Sequence, residues 1–420
     1  MNSPIYKQIA KNLQTLKDSG NYRTFLPLTR EFTTPNYATN NKRTISVWCS
    51  NDYLGMSKNQ SVMTAASEAI TKYGVGSGGT RNISGNHTSI TKLETTIASW
   101  VGKESALVFT SGYVSNEASL SALARMIPDA VFFSDSLNHN SIVQGLRLGK
   151  ANIKIFNHND CEHLEKLLKE VSSDTPKIIV FESVYSMEGA FGEVAKIAAL
   201  AEKYNAFTFV DETHAVGLYG ENGGGLVHKL GLTNKIDLIQ GGLGKGVGTL
   251  GGFVAASGEV IDFIRSFGHG FIFTTSLPPV IAEAASASIN TLCKMQSERL
   301  IIQEKANLLR SLLSKARIPF LDSTSHIVPV IVGDPIKVKK VSEELLNNFS
   351  HYLQPINSPT VPTGTERLRI TLTPYHKTRD ILDLVSSLWV IWQDLELPQT
   401  EIFSCNSLAT SLEDEISELY

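Results

Sequence analysis

The feature that most constrains this chain is the alternation between residues 60 and 270. Short apolar runs recur at 106–110, 130–134, 177–181, 206–210 and 236–240, rich in branched and aromatic side chains. Between them lie stretches with helical spacing. Asn159 or Asp160 can cap a helix whose Leu164, Leu167, Leu168 and Val171 share a face, and 195–204 reads as another. Strand, helix and strand at this spacing imply βαβ units and a largely parallel sheet. Ligands bind beyond the carboxyl ends of such strands. Two reactive loops stand there. Asp211-Glu212-Thr213-His214 follows the fourth run, and Lys245, thirty-four residues after Asp211, follows the fifth. A lysine amine and a carboxylate at strand ends suit pyridoxal 5'-phosphate (PLP). The lysine holds the aldehyde as a Schiff base and the carboxylate pairs with the pyridinium nitrogen.

The flanks are different. Ile5, Ile9, Leu13 and Leu16 recur at helical spacing and predict a surface helix. Residues 21–50 look irregular and end in a short strand at 44–48. A helical stretch over 279–313 leads to a smaller domain, with strands at 326–332 and 368–372 and helices at 338–349 and 378–394. The expected organisation is an N-terminal arm (1–55), a large domain (56–285), a small C-terminal domain (286–396) and an acidic tail (397–420). From Glu401 onward there are five acidic residues and no lysine or arginine.

A chain of 420 residues with net charge −3 offers no electrostatic footprint for nucleic acid. No run approaches the roughly 18 apolar residues of a membrane span, and the polar start lacks a signal-peptide core, so a cytoplasmic protein is expected. Cys49, Cys161, Cys293 and Cys405 form no CxxC pair and read as reduced thiols rather than zinc ligands or disulfides. No metal site is expected.

Other motifs need weighing. Gly74-Val75-Gly76-Ser77-Gly78-Gly79 has the GxGxxG spacing but follows a helical stretch (63–73), not the strand that a dinucleotide fold requires. A glycine loop at a ligand mouth is the better reading. Gly242-Leu243-Gly244-Lys245-Gly246 lacks the spacing and the Ser/Thr of a P-loop. A lone lysine is usually a surface residue, but Lys245 follows an apolar run and sits between glycines. Thr110-Ser111-Gly112-Tyr113 follows a strand and opens a helix, whose free N–H groups suit a phosphate. His139, just past another strand, can be structural, stack on a planar ring or bond to substrate.

Several longer motifs carry a resemblance: Ser50-Asn51-Asp52-Tyr53-Leu54-Gly55-Met56; Gly76-Ser77-Gly78-Gly79-Thr80-Arg81-Asn82-Ile83-Ser84-Gly85; Phe181-Glu182-Ser183-Val184-Tyr185-Ser186-Met187; Gly270-Phe271-Ile272-Phe273-Thr274-Thr275-Ser276-Leu277-Pro278-Pro279; and Gly364-Thr365-Glu366-Arg367-Leu368-Arg369. From about Tyr22 to Asp394 the chain resembles the α-oxoamine synthases. The resemblance implies an α/β fold of the fold-type I PLP-dependent transferases: a large, mostly parallel-sheet domain with helices on both faces, plus a smaller C-terminal α+β domain. It implies Lys245 as the Schiff-base lysine, Asp211 as the partner of the pyridinium nitrogen, and His214 and Ser183 as contacts to the ring hydroxyl. His139 would stack on the ring, and Ser111, Gly112 and Tyr113 would hold the phosphate. Thr274 and Thr275 would reach the phosphate from the other subunit of a homodimer, with sites at the subunit interface. Asn51 and Arg369 would hold the carboxylate of glycine. Arg23 would bind the distal carboxylate of succinyl-CoA, with Thr80, Asn82, Ser134 and Thr360 also among the substrate contacts.

The activity implied is condensation of glycine with succinyl-CoA to 5-aminolevulinate, CoA and CO2, with Lys245, His139, Asp211 and His214 as the catalytic set. Rival expectations are a sister enzyme using another acyl-CoA, such as acetyl-CoA, and a diverged PLP-binding homologue of low activity. The lysine loop motivates the latter. Gly242 stands where the resemblance implies a threonine bonded to the cofactor phosphate, and Thr213 where it implies a valine. A lost hydrogen bond of about 1.5–3 kcal/mol weakens PLP binding about tenfold to a hundredfold, so Gly242→Thr is expected to restore it.

Overall fold

The computed structural model describes residues 3–31, 36–40 and 43–399; the acidic tail from residue 400 onward lies outside them. The chain divides into two compact units. Among the described residues, one comprises Asn51–Ser186 and Ala190–Ile301, and the other those up to Ser50, Met187–Gly189 and 302–399.

The first unit is built on a seven-stranded sheet: β1 (Ser105–Phe109), β2 (Val131–Asp135), β3 (Asn152–Phe156), β4 (Lys177–Glu182), β5 (Phe207–Asp211), β6 (Leu238–Gly242) and β7 (Gly252–Ala256). The spatial order is β1-β7-β6-β5-β4-β2-β3. Strands β2 to β6 pair in parallel, and β7 runs antiparallel between β6 and β1. Every residue of β2, β4, β6 and β7 is buried, which is why these strands carry no polar alternation. On one face, Leu120, Leu123, Ile142, Leu146, Ile261 and Ile264 of three helices pack against Leu107, Phe132, Ile178, Phe209, Leu238 and Val254 of the sheet. Each such side chain contributes about 1.5–3 kcal/mol on burial.

The strand direction sets the site. Strands β2, β4, β5 and β6 all end on the same edge, at Asp135, Glu182, Asp211 and Gly242. β1, antiparallel to β7, ends there too, just before Ser111. Five loops therefore converge, among them those bearing Ser111, His139, Asp211 and Lys245. The antiparallel β7 adds a constraint: a Cβ at Gly252 would lie 2.5 Å from the Gly112 backbone, so only glycine lets the strand pass this helix start.

In the second unit Arg43–Val47 pairs antiparallel with Tyr37–Asn40 and parallel with His351–Tyr352. Arg367–Thr371 pairs antiparallel with Ile327–Ile331 and Pro355–Ile356. Trp48, Leu309, Leu313, Val328, Leu345, Ile370, Leu388 and Trp392 share one core. The residues up to Ser50 are thus not a separate arm; their strands belong to the same unit as the C-terminal region. The stretch expected as one helix over 279–313 is two, Pro279–Leu292 and Gln296–Lys315. The N-terminal helix Pro4–Asp18 buries no residue.

Candidate active site

At the converging strand ends lies a cavity of about 300 Å³ lined by Asn51, Gly112, His139, Asp211, His214 and Lys245, among others. Asp211 closes β5 and is 5% exposed. Its Oδ2 accepts from Asn116 Nδ2 at 2.7 Å and its Oδ1 from the Thr213 N–H at 2.8 Å. Both donors fix the orientation of its carboxyl group. The second hydrogen of Asn116 Nδ2 goes to Ser141 Oγ at 3.0 Å. That hydroxyl is 2.8 Å from His139 Nδ1, which also accepts from the Ser141 N–H and so caps the helix Asn140–Gly149. With Nδ1 an acceptor, neutral His139 carries its proton on Nε2. The residue is exposed at the cavity mouth, with protein atoms packed around the rest of its ring. This desolvation pushes its pKa below the usual value, and the Lys245 charge acts in the same direction against the opposing Asp211.

Lys245 Nζ lies 2.5 Å from His214 Nε2. His214 Nδ1 is 2.8 Å from the Tyr53 hydroxyl, which donates to Asn51 Oδ1 at 3.1 Å. A hydroxyl that donates to Asn51 accepts from His214 Nδ1–H, leaving Nε2 as the acceptor for the Lys245 amine. Asn51 thereby sets a histidine tautomer through Tyr53.

The helix Gly112–Met126 begins at the same cavity. Ser111 Oγ caps it by accepting from the Val114 N–H at 3.1 Å. The amides of Gly112 and Tyr113 stand in its first turn, where no intrahelical acceptor exists, and they face the end at which an anion is stabilised. Gln240 of β6 braces this turn, donating to Ser115 Oγ at 2.8 Å and accepting from Thr213 Oγ1 at 3.0 Å. An amine, a buried carboxyl group and a helix N-terminus around one cavity are the set that PLP needs, and they fit it.

Gly242 alters the reading of the lysine loop. A Cβ there would sit 2.8 Å from Thr213 Cγ2 and 3.3 Å from Thr213 Oγ1. The Thr213 side chain fills the space into which a side chain at 242 would project, so the residues at 213 and 242 are sterically linked.

Not every residue expected at the site lies in this cavity. Ser183 is buried after β4, with its N–H on the Asp211 carbonyl at 2.9 Å, and does not line it. Ser134 is buried inside β2, where its hydroxyl accepts from Asn138 Nδ2 at 2.9 Å. Thr80 and Thr275 form an isolated bridge, Thr274 is beside it, and Asn82 is exposed on the following turn. In the other unit Arg369 lies in Arg367–Thr371, opposite Pro329 and 6% exposed. Arg23 donates to Thr360 Oγ1 at 3.1 Å, and both line a separate cavity of about 300 Å³.

Sequence reasoning missed Asn116, Ser141, Tyr53 and Glu182. Glu182 lines the cavity and accepts from the His139 N–H at 2.6 Å. Tyr53 and Glu182 stand inside quoted motifs, so the signal was present for them. A larger cavity of about 500 Å³ opens at the amino ends of β4 and β5, but its Lys177 is committed to the Ser172 and Thr175 carbonyls and its Asp237 to Thr208.

A family profile described as aminotransferase class I and II matches residues 43–388, and the chain belongs to that family. Among curated relatives, the 5-aminolevulinate synthase of Rickettsia prowazekii is 51% identical over 387 residues, covering 92% of this chain and 94% of that protein. The 5-aminolevulinate synthase of Bradyrhizobium diazoefficiens is 48% identical over 357 residues, 85% and 87% of the two chains. Among solved structures, SPT with PLP superposes with a TM-score of 0.87 at 28% identity, covering 94% of this chain and 100% of that one. Serine palmitoyltransferase of Sphingomonas wittichii gives 0.86 at 27% identity, covering 93% and 98%. The fold is that of the fold-type I PLP-dependent enzymes.

Proposed function

We propose that this chain is a PLP-dependent acyltransferase that condenses glycine with succinyl-CoA to 5-aminolevulinate, CoA and CO2, the first step of haem and tetrapyrrole biosynthesis. The observation that carries the reading is the single cavity holding Lys245 and Asp211, in a chain about half identical to curated 5-aminolevulinate synthases along nearly its whole length. Bound PLP supplies an electron sink, which acidifies the glycine α-carbon and lets the original carboxylate leave as CO2.

The chain's own residues do the rest. Asp211, fixed by Asn116 and the Thr213 amide, keeps the proton on the ring nitrogen. The Gly112 helix start takes the phosphate. Lys245 Nζ moves the proton at the glycine α-carbon, with His214 Nε2 as its hydrogen-bond partner. His139 covers the ring and presents Nε2–H, and Asn51 and Arg369 are the proposed holders of the glycine carboxylate. Arg23 with Thr360 is the proposed dock for the distal carboxylate of the acyl-CoA; a guanidinium suits it because it offers two parallel donors. A homodimer in which Thr274 and Thr275 serve the other subunit's phosphate site accounts for their position away from the Lys245 cavity. No described helix is long and apolar enough to cross a membrane. With bacterial relatives, a cytoplasmic enzyme is the reading we adopt.

The test is a steady-state assay of the purified protein with PLP, glycine and succinyl-CoA, run beside Lys245→Ala. The reading predicts 5-aminolevulinate from the wild type alone. Equal rates with acetyl-CoA would remove the succinyl assignment, and no product from any acyl-CoA would remove the enzyme.

A further inference from the structure

The segment that carries Arg23 has no secondary structure of its own: residues 21–28 are neither helix nor strand. It is held from outside, at alternate carbonyls. Asn357 Nδ2 donates to the Gly20 carbonyl at 3.2 Å and to the Pro335 carbonyl at 3.1 Å. Lys339 Nζ donates to the Tyr22 carbonyl. Gln354 Nε2 donates to the Thr24 carbonyl at 3.4 Å. The Gln354 amide is itself oriented by Tyr352, whose hydroxyl donates to Gln354 Oε1 at 2.8 Å. Gly20, at φ +74°, lets the chain lie against the start of the helix Pro335–Phe349, where a Cβ would be 3.0 Å from Ile336 Cγ1.

The result is an extended strap pinned at residues 20, 22 and 24, from which the side chain of Arg23 reaches Thr360. Of these three pins only the middle one is a charged donor, and it adjoins Arg23 in sequence. The cavity beside it is lined by Arg23 and Lys339 and, among the described residues, by no acidic one. An arginine on an unsupported loop loses much of its binding energy to the cost of ordering it, whereas one on a fixed backbone does not.

We propose that Lys339 is a positioning residue for Arg23: by bonding the Tyr22 carbonyl it fixes the backbone from which the guanidinium meets the acyl-CoA, and so sets selectivity for an acyl chain ending in a carboxylate. This rests on the reading of Arg23 as the carboxylate dock. Lys339 does not touch the reacting atoms and acts on acyl-CoA recognition rather than turnover.

The test separates those effects in the PLP-loaded enzyme. Butyryl-CoA matches succinyl-CoA in length but lacks the carboxylate, and it is read as a competitive inhibitor so that its own turnover does not matter. Lys339→Met is expected to raise the KM for succinyl-CoA about fivefold to tenfold, leaving kcat, the KM for glycine and the Ki of butyryl-CoA within about twofold. Lys339→Arg, which keeps a cationic donor, is expected to restore most of the loss. Gln354→Leu, which removes the neighbouring pin, is expected to act in the same direction and stands in if Lys339→Met folds poorly. An unchanged KM for succinyl-CoA in Lys339→Met, or a parallel rise in the butyryl-CoA Ki, overturns the proposal. Arg23→Leu separates it from the reading beneath it. If Arg23→Leu raises that KM and Lys339→Met does not, only the positioning role falls. If Arg23→Leu leaves it unchanged, the carboxylate dock falls and the positioning role falls with it.

Discussion

Gly242→Thr is the most instructive perturbation of the cofactor site, because sequence and structure give different answers. From the resemblance alone, a threonine at 242 adds a hydroxyl to the phosphate and tightens PLP by about 1.5–3 kcal/mol. In the structure its Cβ would lie 2.8 Å from Thr213 Cγ2. Carbon atoms pack comfortably at about 3.5–4.0 Å, so the pair is too close by roughly 0.7 Å or more. Overpacking of this kind costs about 1–3 kcal/mol, the same size as the gain. The single variant is therefore expected to bind PLP within about threefold of the wild type and to melt at a lower temperature. Thr213→Ser removes only the offending methyl and keeps Oγ1, which donates to Gln240 Oε1 at 3.0 Å. The double variant Gly242→Thr/Thr213→Ser is then expected to lower the PLP Kd about tenfold. Titration of the apo-protein with PLP, followed by intrinsic fluorescence, gives the Kd without relying on turnover. If Gly242→Thr alone tightens PLP tenfold with an unchanged melting temperature, the steric linkage is refuted.

Two further outcomes follow from buried polar groups. Asn116→Leu strips a donor from the buried Asp211 carboxylate and is expected to cost the apo-protein about 1.5–3 kcal/mol in denaturant melts; wild-type stability would show that the contact contributes nothing. His376 is fully buried against Trp48, accepts at Nδ1 from the Thr373 N–H and lies 3.2 Å from the Val47 carbonyl through Nε2. Burial pushes its pKa down to about 4. A free histidine titrates near 6.5, so between those values the unfolded chain binds a proton that the folded one refuses. Stability is thus complete above about pH 6.5 and falls by roughly 3 kcal/mol as the pH drops to about 4. His376→Gln is expected to flatten that slope in melts across the range, and an unchanged slope would assign it to other groups.

Much of this was legible in the sequence. Strands such as β4 and β5 are buried on both faces, so they read as apolar runs; Asp211 closes β5, and Lys245 stands three residues beyond β6. β7 was not read, because Gly252-Phe253-Val254-Ala255-Ala256 is poor in branched residues; glycine is required at its start by the approach to Gly112. The helix break at 293–295 has no proline or glycine to mark it. The network from Asp211 through Asn116 and Ser141 to His139 was invisible for another reason. Its partners stand up to 95 positions apart, and a buried asparagine within a helix has no periodic signature. The Thr213–Gly242 pair shows the same limit: each departure was visible alone, and only the fold brings them into contact.

The central claim is that Lys245 is the amine that engages PLP beside Asp211. The most direct measurement is to load the protein with PLP, reduce it with borohydride and map the modified peptide by mass spectrometry. The account predicts one phosphopyridoxyl group per chain, on Lys245, and none in Lys245→Ala. Stoichiometric labelling of a different lysine, or undiminished labelling of Lys245→Ala, would contradict it.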